Sequence, residues 1–559
     1  MLVVACGGGN GGGTDVSADG SVPLSVTAQQ TPTKMEAARF LGQATFGPNE
    51  AEIDRLAGMS YGAWIDDQLA KPQTLHRLYI NQASADLASV GQTITRTNFW
   101  DSWWQQALSG DDQLRQRVTF ALSQILVVSF ADATLSNQPR GVASYYDMLA
   151  EHAFGNYRDL LEAVTLQPMM GIYLSHLRNL KEDPATGRVP DLNFAREITQ
   201  LFAVGQYELN LDGTYVMGPD GRPKTAYKPA DLEGLSQVFT GLSWYAGPEK
   251  SDRTAARYNG QNANMERDWR PMQAYNEYAP NTSFHSVSEK RFWSTVIPAQ
   301  TKSDTEGDLK IALDAIVNNP AVGPCVSKQL IQRLVTSNPS RAYVARVTAA
   351  FDDDGKGVRG DMKAVLRAVL LDHEARGDAG LADLAFGKLR EPVLRFVHWA
   401  RLFKARSSSG TWNAGNTSDP ATSLGQSPMR SPSVFNFFRP GYSPPNTAIA
   451  AKGLVAPEFQ LVNESSVAGY LNFMQSAIGG QHPDLKPDYA TELPLADRPA
   501  QLLDRLNLLL CAGQLGAAAR RLIVDAVAAM PGASSADRLR RVLAAVMLVM
   551  ASADYLVQR

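Results

Sequence analysis

The hydrophobic pattern of this chain is helical along most of its length. Apolar residues recur every three or four positions, the spacing of one helix face, in 35–41, 49–57 and 60–69, where Trp64, Ile65 and Leu69 share a side. The same spacing marks 97–108, 113–130, 145–152 and 157–164. It returns at 308–317, 322–336, 343–351, 361–371 and 388–403, and three further stretches near 461–478, 499–527 and 536–556 carry two or three helices to the end. Between 206 and 301 the period fails. Asp212-Gly213 and Asp220-Gly221 read as turns of a short hairpin, Asp231 reads as the cap of a helix ending near Trp244, and 245–301 is a long irregular loop. The fold class expected is mainly α: a large multi-helix body with long irregular loops and at most a small β element. No fixed-period repeat is present.

One stretch concentrates polar groups. In 190–205, Leu192, Ala195, Leu201 and Phe202 line an apolar helical face, while Asn193, Arg196, Glu197 and Gln200 fall at i, i+3, i+4 and i+7 on another. Asp191 reads as the cap and Gly205 as the stop. Charged residues make up only 19% of the chain, so polar groups packed this closely predict a buried network. Adjacent Arg196 and Glu197 cannot both turn to one i+4 neighbour, and at least one needs a partner from elsewhere. The irregular loop supplies His285 and Lys290. The expectation is one polar pocket shared by Asn193, Arg196, Glu197, His285 and Lys290. In it Glu197 is the candidate general acid or base, with His285 as its proton partner. Asn193, Arg196, Lys290 and Asp231 are the candidate binding residues, with Arg196 and Lys290 placed to hold an anionic group.

Composition removes several functions. A net charge of −3 gives no electrostatic reason to expect nucleic acid or an anionic membrane surface as partner. Seven scattered histidines and three cysteines make no metal-ligand spacing, so no metal site is expected and the cofactor is left open. Asp352-Asp-Asp-Gly-Lys fails the calcium-loop spacing, since Lys356 and Lys363 occupy ligand positions. There is no phosphate loop, dinucleotide fingerprint or nucleophile elbow. Phe99, Trp100, Trp103 and Trp104 cluster on one segment, where burial statistics favour helix-packing core over a ligand platform.

The N-terminus carries an address. Val3-Val4-Ala5-Cys6 resembles a lipobox, whose cysteine is lipidated, and the Gly/Ser/Asp-rich run after it reads as a flexible tether. A disordered N-terminus with an incidental cysteine is the weaker reading. The basic region and most of the apolar region of a signal peptide are missing, so an earlier start is expected. Gly7 after the cysteine points, by resemblance to sorted lipoproteins, to the outer membrane. No run is long enough to span a bilayer, so membrane contact is expected through the lipid anchor only. The chain divides into 1–32, signal remnant and tether; 33–205, an N-terminal helical region; 206–301, an irregular or short β insertion; and 302–559, a C-terminal helical region packed on the first.

Several segments together resemble the bacterial domain-of-unknown-function family 1800, a group of large secreted proteins. They are Ala37-Ala-Arg-Phe-Leu-Gly-Gln-Ala-Thr-Phe-Gly-Pro, Leu114-Arg-Gln-Arg-Val-Thr-Phe-Ala-Leu-Ser-Gln, Asn193-Phe-Ala-Arg-Glu, Phe284-His285 with Lys290, Arg359-Gly-Asp-Met-Lys-Ala-Val, Arg390-Glu-Pro-Val, Pro432-Ser-Val-Phe-Asn and Ala551-Ser-Ala-Asp-Tyr-Leu-Val-Gln-Arg. Asp191-Leu192 stands where the family usually has Asn-Glu, and Gln200 where it commonly has Glu, which weakens any metal or proton-sharing site built on those carboxylates. Genes of this family often neighbour those of secreted family 1501, which is similar to sulfatases and alkaline phosphatases. The resemblance therefore implies a shared process at the cell envelope, and a secreted sulfatase-like protein of family 1501 is the candidate partner. Two functions are expected: foremost an envelope lipoprotein that binds or assembles with that partner, and otherwise an extracytoplasmic hydrolase on a polymer or glycan using Glu197 and His285.

Overall fold

Reciprocal caps set the first helices. Thr33 accepts the Glu36 N–H on its hydroxyl at 3.3 Å, and the Glu36 carboxylate accepts the Thr33 N–H at 2.8 Å. Two donors without helical partners are satisfied at once, and Lys34–Ala44 begins. Asn49 and Glu52 repeat the device for Glu50–Leu56. The computed structural model describes residues 24–276 and 284–559, so Cys6 and most of the glycine run lie outside the described residues. The expected tether of 1–32 ends in a packed helix, Leu24–Gln29, with Thr27 buried. Gly62 permits this contact, because a side chain there would press on the Ala28 carbonyl.

Among the described residues there are 26 α-helices and four two-stranded antiparallel sheets, so the fold is mainly α. Buried side chains from Ala37 to Tyr555 form one continuous hydrophobic cluster. Early and late helices therefore share a core, and burial of that apolar surface is the main favourable term holding them together. The aromatic segment is part of it. Phe99, Trp103 and Trp104 in Arg96–Ser109 are buried, Trp104 meets Phe396 edge-on at 5.5 Å, and the Trp100 indole donates to the Pro428 carbonyl. Both Cys325 and Cys511 are free thiols, and no helix of the described residues is long and apolar enough to cross a membrane.

Three expectations need correction. The helix placed over 113–130 is Gln113–Ser123; the apolar run beyond it is held by a late loop, with Phe130 N–H donating to the Met429 carbonyl at 2.8 Å and the Ser129 hydroxyl to the Ser431 carbonyl at 2.6 Å. The stretch 499–527 is two helices, Pro499–Cys511 and Ala517–Ala528, broken where Ala512 and Gly513 take positive φ. Two of the four strand pairs lie outside 206–301, joining Lys388–Leu389 to Val557–Gln558 and Arg406–Ser407 to Leu485–Lys486.

Within 206–301 the turns form nested bridges, Tyr207 to Thr225, Leu209 to Tyr215 and Met217 to Pro223. The helix Pro229–Val238 follows and sends Leu235, Val238 and Phe239 into the main core. A hairpin, Lys290–Phe292 with Thr295–Ile297, lies across this helix. Gly234 is required at the crossing, because a Cβ there would fall 2.0 Å from the Arg291 carbonyl oxygen.

Candidate functional site

The polar stretch begins in a loop pinned by buried Asn179. The Asn179 side chain accepts the Asp191 N–H at 2.9 Å and donates to the Asp191 and Phe239 carbonyls at 3.3 Å. Asp191 Oδ1 then accepts the Asn193 N–H at 2.7 Å, but from one residue before the cap: the cap position is Leu192, which has no side-chain acceptor, and Asp191 closes an Asx turn there. The α-helix Asn193–Glu197 runs directly into a π-helical turn, Ile198–Ala203. Val204 and Gly205 N–H both donate to the Thr199 carbonyl, and Gly205 ends the turn at φ 87°. Such wide turns are rare and often mark functional positions.

The five residues expected in one pocket fall into two groups. His285 and Lys290 converge on Asp308 of the helix Thr305–Val317. His285 Nε2 lies 2.9 Å and Lys290 Nζ 2.8 Å from Asp308 Oδ2, and the Gln300 amide donates to Oδ1 at 2.7 Å. His285 Nδ1 faces the Thr240 carbonyl at 2.9 Å, and Lys290 also donates to the Ser286 carbonyl at 2.9 Å. Gly241, at φ +76°, brings its backbone against His285 where a side chain would clash. All three side chains are at most 1% exposed. Burial works against the Asp308 charge, yet hydrogen bonds from His285 and Lys290 outweigh it and hold its pKa below the ordinary range.

Asn193 and Arg196 instead border an open basin of about 730 Å³ with Ser175, Arg178 and Arg188. Arg178 and Arg188 each donate one N–H to a carbonyl, of Asn259 and Lys181 respectively, and Arg196 is exposed. Three guanidinium groups around one basin suit an anionic group. Glu197, the next residue, does not line the basin; it is 8% exposed, with no hydrogen bond or ion pair to its carboxylate among the described residues. Burial raises its pKa, and only the neighbouring Arg196 charge opposes this. The loop joins the two groups: the Lys181 N–H donates to the Phe284 carbonyl, and Glu182 accepts from Ser286 and Ser288.

Asp231 belongs to neither group. It is the third residue of its helix, not the cap; its two oxygens accept the Lys228 and Trp293 N–H groups, each at 2.7 Å, and so tie the helix start to the hairpin turn. A model of the family described as protein of unknown function, DUF1800, matches residues 39–557. The chain belongs to this family. No curated protein and no solved structure matches it.

This DUF1800 protein also buries a charge cluster that sequence reasoning did not assemble. Arg117, Arg333, Lys388, Glu391 and Glu458 are each at most 3% exposed. Glu391 accepts from the Gln124 and Gln426 amides, Lys388 pairs with Glu458 at 3.0 Å, and Arg117 donates to the Arg333 carbonyl at 2.6 Å. Burial lowers the pKa of Arg117 to about 10, against the charge of Glu391. The available signal was an arginine inside an apolar helix together with the Arg390-Glu-Pro-Val segment. Asp372, His373 and Glu374 of the DUF1800 chain place ligand atoms within 4.8 Å of one another, but Arg346 already bridges the two carboxylates at 2.7 and 2.9 Å. That set is an ion-pair network.

Proposed function

We propose that this DUF1800 protein is a cell-envelope lipoprotein, anchored at Cys6 to the outer membrane, that works by binding or assembling with a secreted partner. The single observation supporting binding over catalysis is the division of the polar residues. The His285–Asp308–Lys290 group is dry and mutually satisfied, as structural ion pairs are, while Asn193 and Arg196 border an open basin with two further arginines. The partner favoured by the family resemblance is a secreted sulfatase-like protein of family 1501, docking an acidic segment into this basin.

The test is co-purification from the membrane fraction. Arg178→Glu with Arg196→Glu reverses two exposed charges, and should cut partner recovery about tenfold or more with the thermal midpoint unchanged. Undiminished recovery rules out the basin. Mass spectrometry should find a lipid-modified Cys6 at the mature N-terminus, and residues 1–5 intact on the mature protein would rule out the anchor.

A second reading, an extracytoplasmic hydrolase on a polymer or glycan, is supported by Glu197. A nearly buried carboxyl with a raised pKa and no partner among the described residues is the form a general acid takes. Under that reading Glu197→Gln abolishes turnover and leaves partner recovery intact. His285 enters it only as a sealed positioning group.

A further inference from the structure

A smaller cavity, sharing no residue with the arginine basin, is apolar. It encloses about 140 Å³ between the helices Pro392–Leu402 and Glu464–Ile478 and the end of Ser535–Ala551. A cavity of that size admits about one benzene ring. Leu424, Leu461, Leu471 and Leu556 wall it. Val462 and Val467 line it too and are 39% and 48% exposed, so the way in passes apolar side chains.

Two polar side chains of this wall lack a partner. Arg395 is 6% exposed. Its Nε donates to the Arg390 carbonyl at 2.7 Å and its guanidinium covers the Tyr470 ring at 4.9 Å, yet no carboxylate pairs with it among the described residues. The Tyr470 hydroxyl is buried and has no hydrogen-bond partner. Glu458 also lines the cavity, but it is committed to Lys388 at 3.0 Å. Its cluster already sets three cations, Arg117, Arg333 and Lys388, against the two carboxylates of Glu391 and Glu458. Arg390 brings no anion either, since its Nη1 donates to the Leu510 and Tyr555 carbonyls. A buried cation ordinarily comes with a counter-ion. Here positive charge is in excess, and an acceptor is missing.

We propose that this cavity binds a small apolar carboxylate, with its ring or short chain against the leucines and its charge on Arg395. Complementarity decides the class. A neutral apolar molecule would suit the walls and leave Arg395 without a counter-ion. A cation would be repelled by Arg395. Inorganic phosphate or sulfate would supply charge but lose its water against leucine side chains. A carboxylate accepts from both a guanidinium and a hydroxyl, and an apolar body behind it removes the cavity walls from water. A free acid and the C-terminal residue of a peptide both present this chemistry.

The experiment is calorimetric titration of the full chain with benzoate and with N-acetyl-phenylalanine, each beside an uncharged counterpart, benzyl alcohol and N-acetyl-phenylalaninamide. One acid at least should bind at millimolar concentration or below, about tenfold or more tightly than its counterpart and than acetate. Benzoate binding alone assigns a free acid; binding of the N-acetyl amino acid assigns a chain terminus. Arg395→Met keeps an apolar side chain, removes the charge, and should abolish the preference for acid over counterpart. Val467→Glu places a carboxylate at an exposed part of the wall. It should weaken acid binding about tenfold or more with the thermal midpoint unchanged, and it decides the matter if the Arg395 variant does not fold. Arg178→Glu with Arg196→Glu should leave binding unaltered. Binding of neither acid at millimolar concentration overturns the proposal. So does equal affinity for acid and counterpart, acetate binding as tightly as the acids, or undiminished affinity in the Val467 variant.

Discussion

Asp308 is one carboxylate answering both Lys290 and His285, and its removal separates charge from shape. Asp308→Asn keeps the volume but leaves Lys290 and His285 facing an amide, and a buried charge that loses its counter-ion destabilises by about 3–5 kcal/mol. A drop of several degrees in thermal midpoint is expected, with partner recovery at the remote basin retained; an unchanged midpoint would show that the group is not a structural ion pair. The pH dependence has a definite sign. The folded pKa of Asp308 is depressed, so its contribution is complete above the unfolded carboxylate value and is lost as pH falls through the lower folded one. Wild type should therefore lose stability between about pH 4 and the acid limit, and the variant should show a flatter acid limb. Asp308 was invisible as a site residue in the sequence because nothing local marks it: it is a first-turn acid of an ordinary amphipathic helix. Its partners come from a loop whose course no periodicity encodes. His285 and Lys290 were legible as residue types, and their true partner was not.

At the scale of elements, the sequence is readable wherever one face of a helix is apolar and the other wet. Lys34–Ala44 and Glu50–Leu56 follow from the period and the caps. The reading fails where burial is complete on all sides, as after Ser123, since an apolar run held by another loop looks the same as a continuing helix. It fails again at Ala512, a left-handed helix end at a residue with no intrinsic preference for it. Asp231 shows the same limit in miniature: recognisable as a capping acid, it is displaced three residues into its helix because the hairpin turn needs its second oxygen. Asp231→Ala frees the Lys228 and Trp293 N–H groups together. Its expected effect is a loss of about 1–3 kcal/mol, with faster amide exchange in both the helix start and the hairpin turn. Exchange changing at the helix alone would break the proposed coupling.

The strand Val557–Gln558 closes the whole molecule. Val557–Gln558 pairs with Lys388–Leu389, Gln558 donates its side-chain amide to the Leu334 carbonyl at 2.7 Å, and the Tyr555 hydroxyl reaches the Arg395 carbonyl. Short peripheral segments are usually expendable, but 555–558 is wired to the shared core. Removing 557–559 should lower the thermal midpoint far more than an equal truncation of an exposed loop, read in the same scan; a neutral truncation would contradict the role given to the pair.

That closing strand also imposes an order in time. The strand Lys388–Leu389 is synthesised well before its mate Val557–Gln558, so this ladder closes only after everything between them has been made. A nascent chain held open in this way keeps its apolar faces exposed and depends on being kept from aggregation.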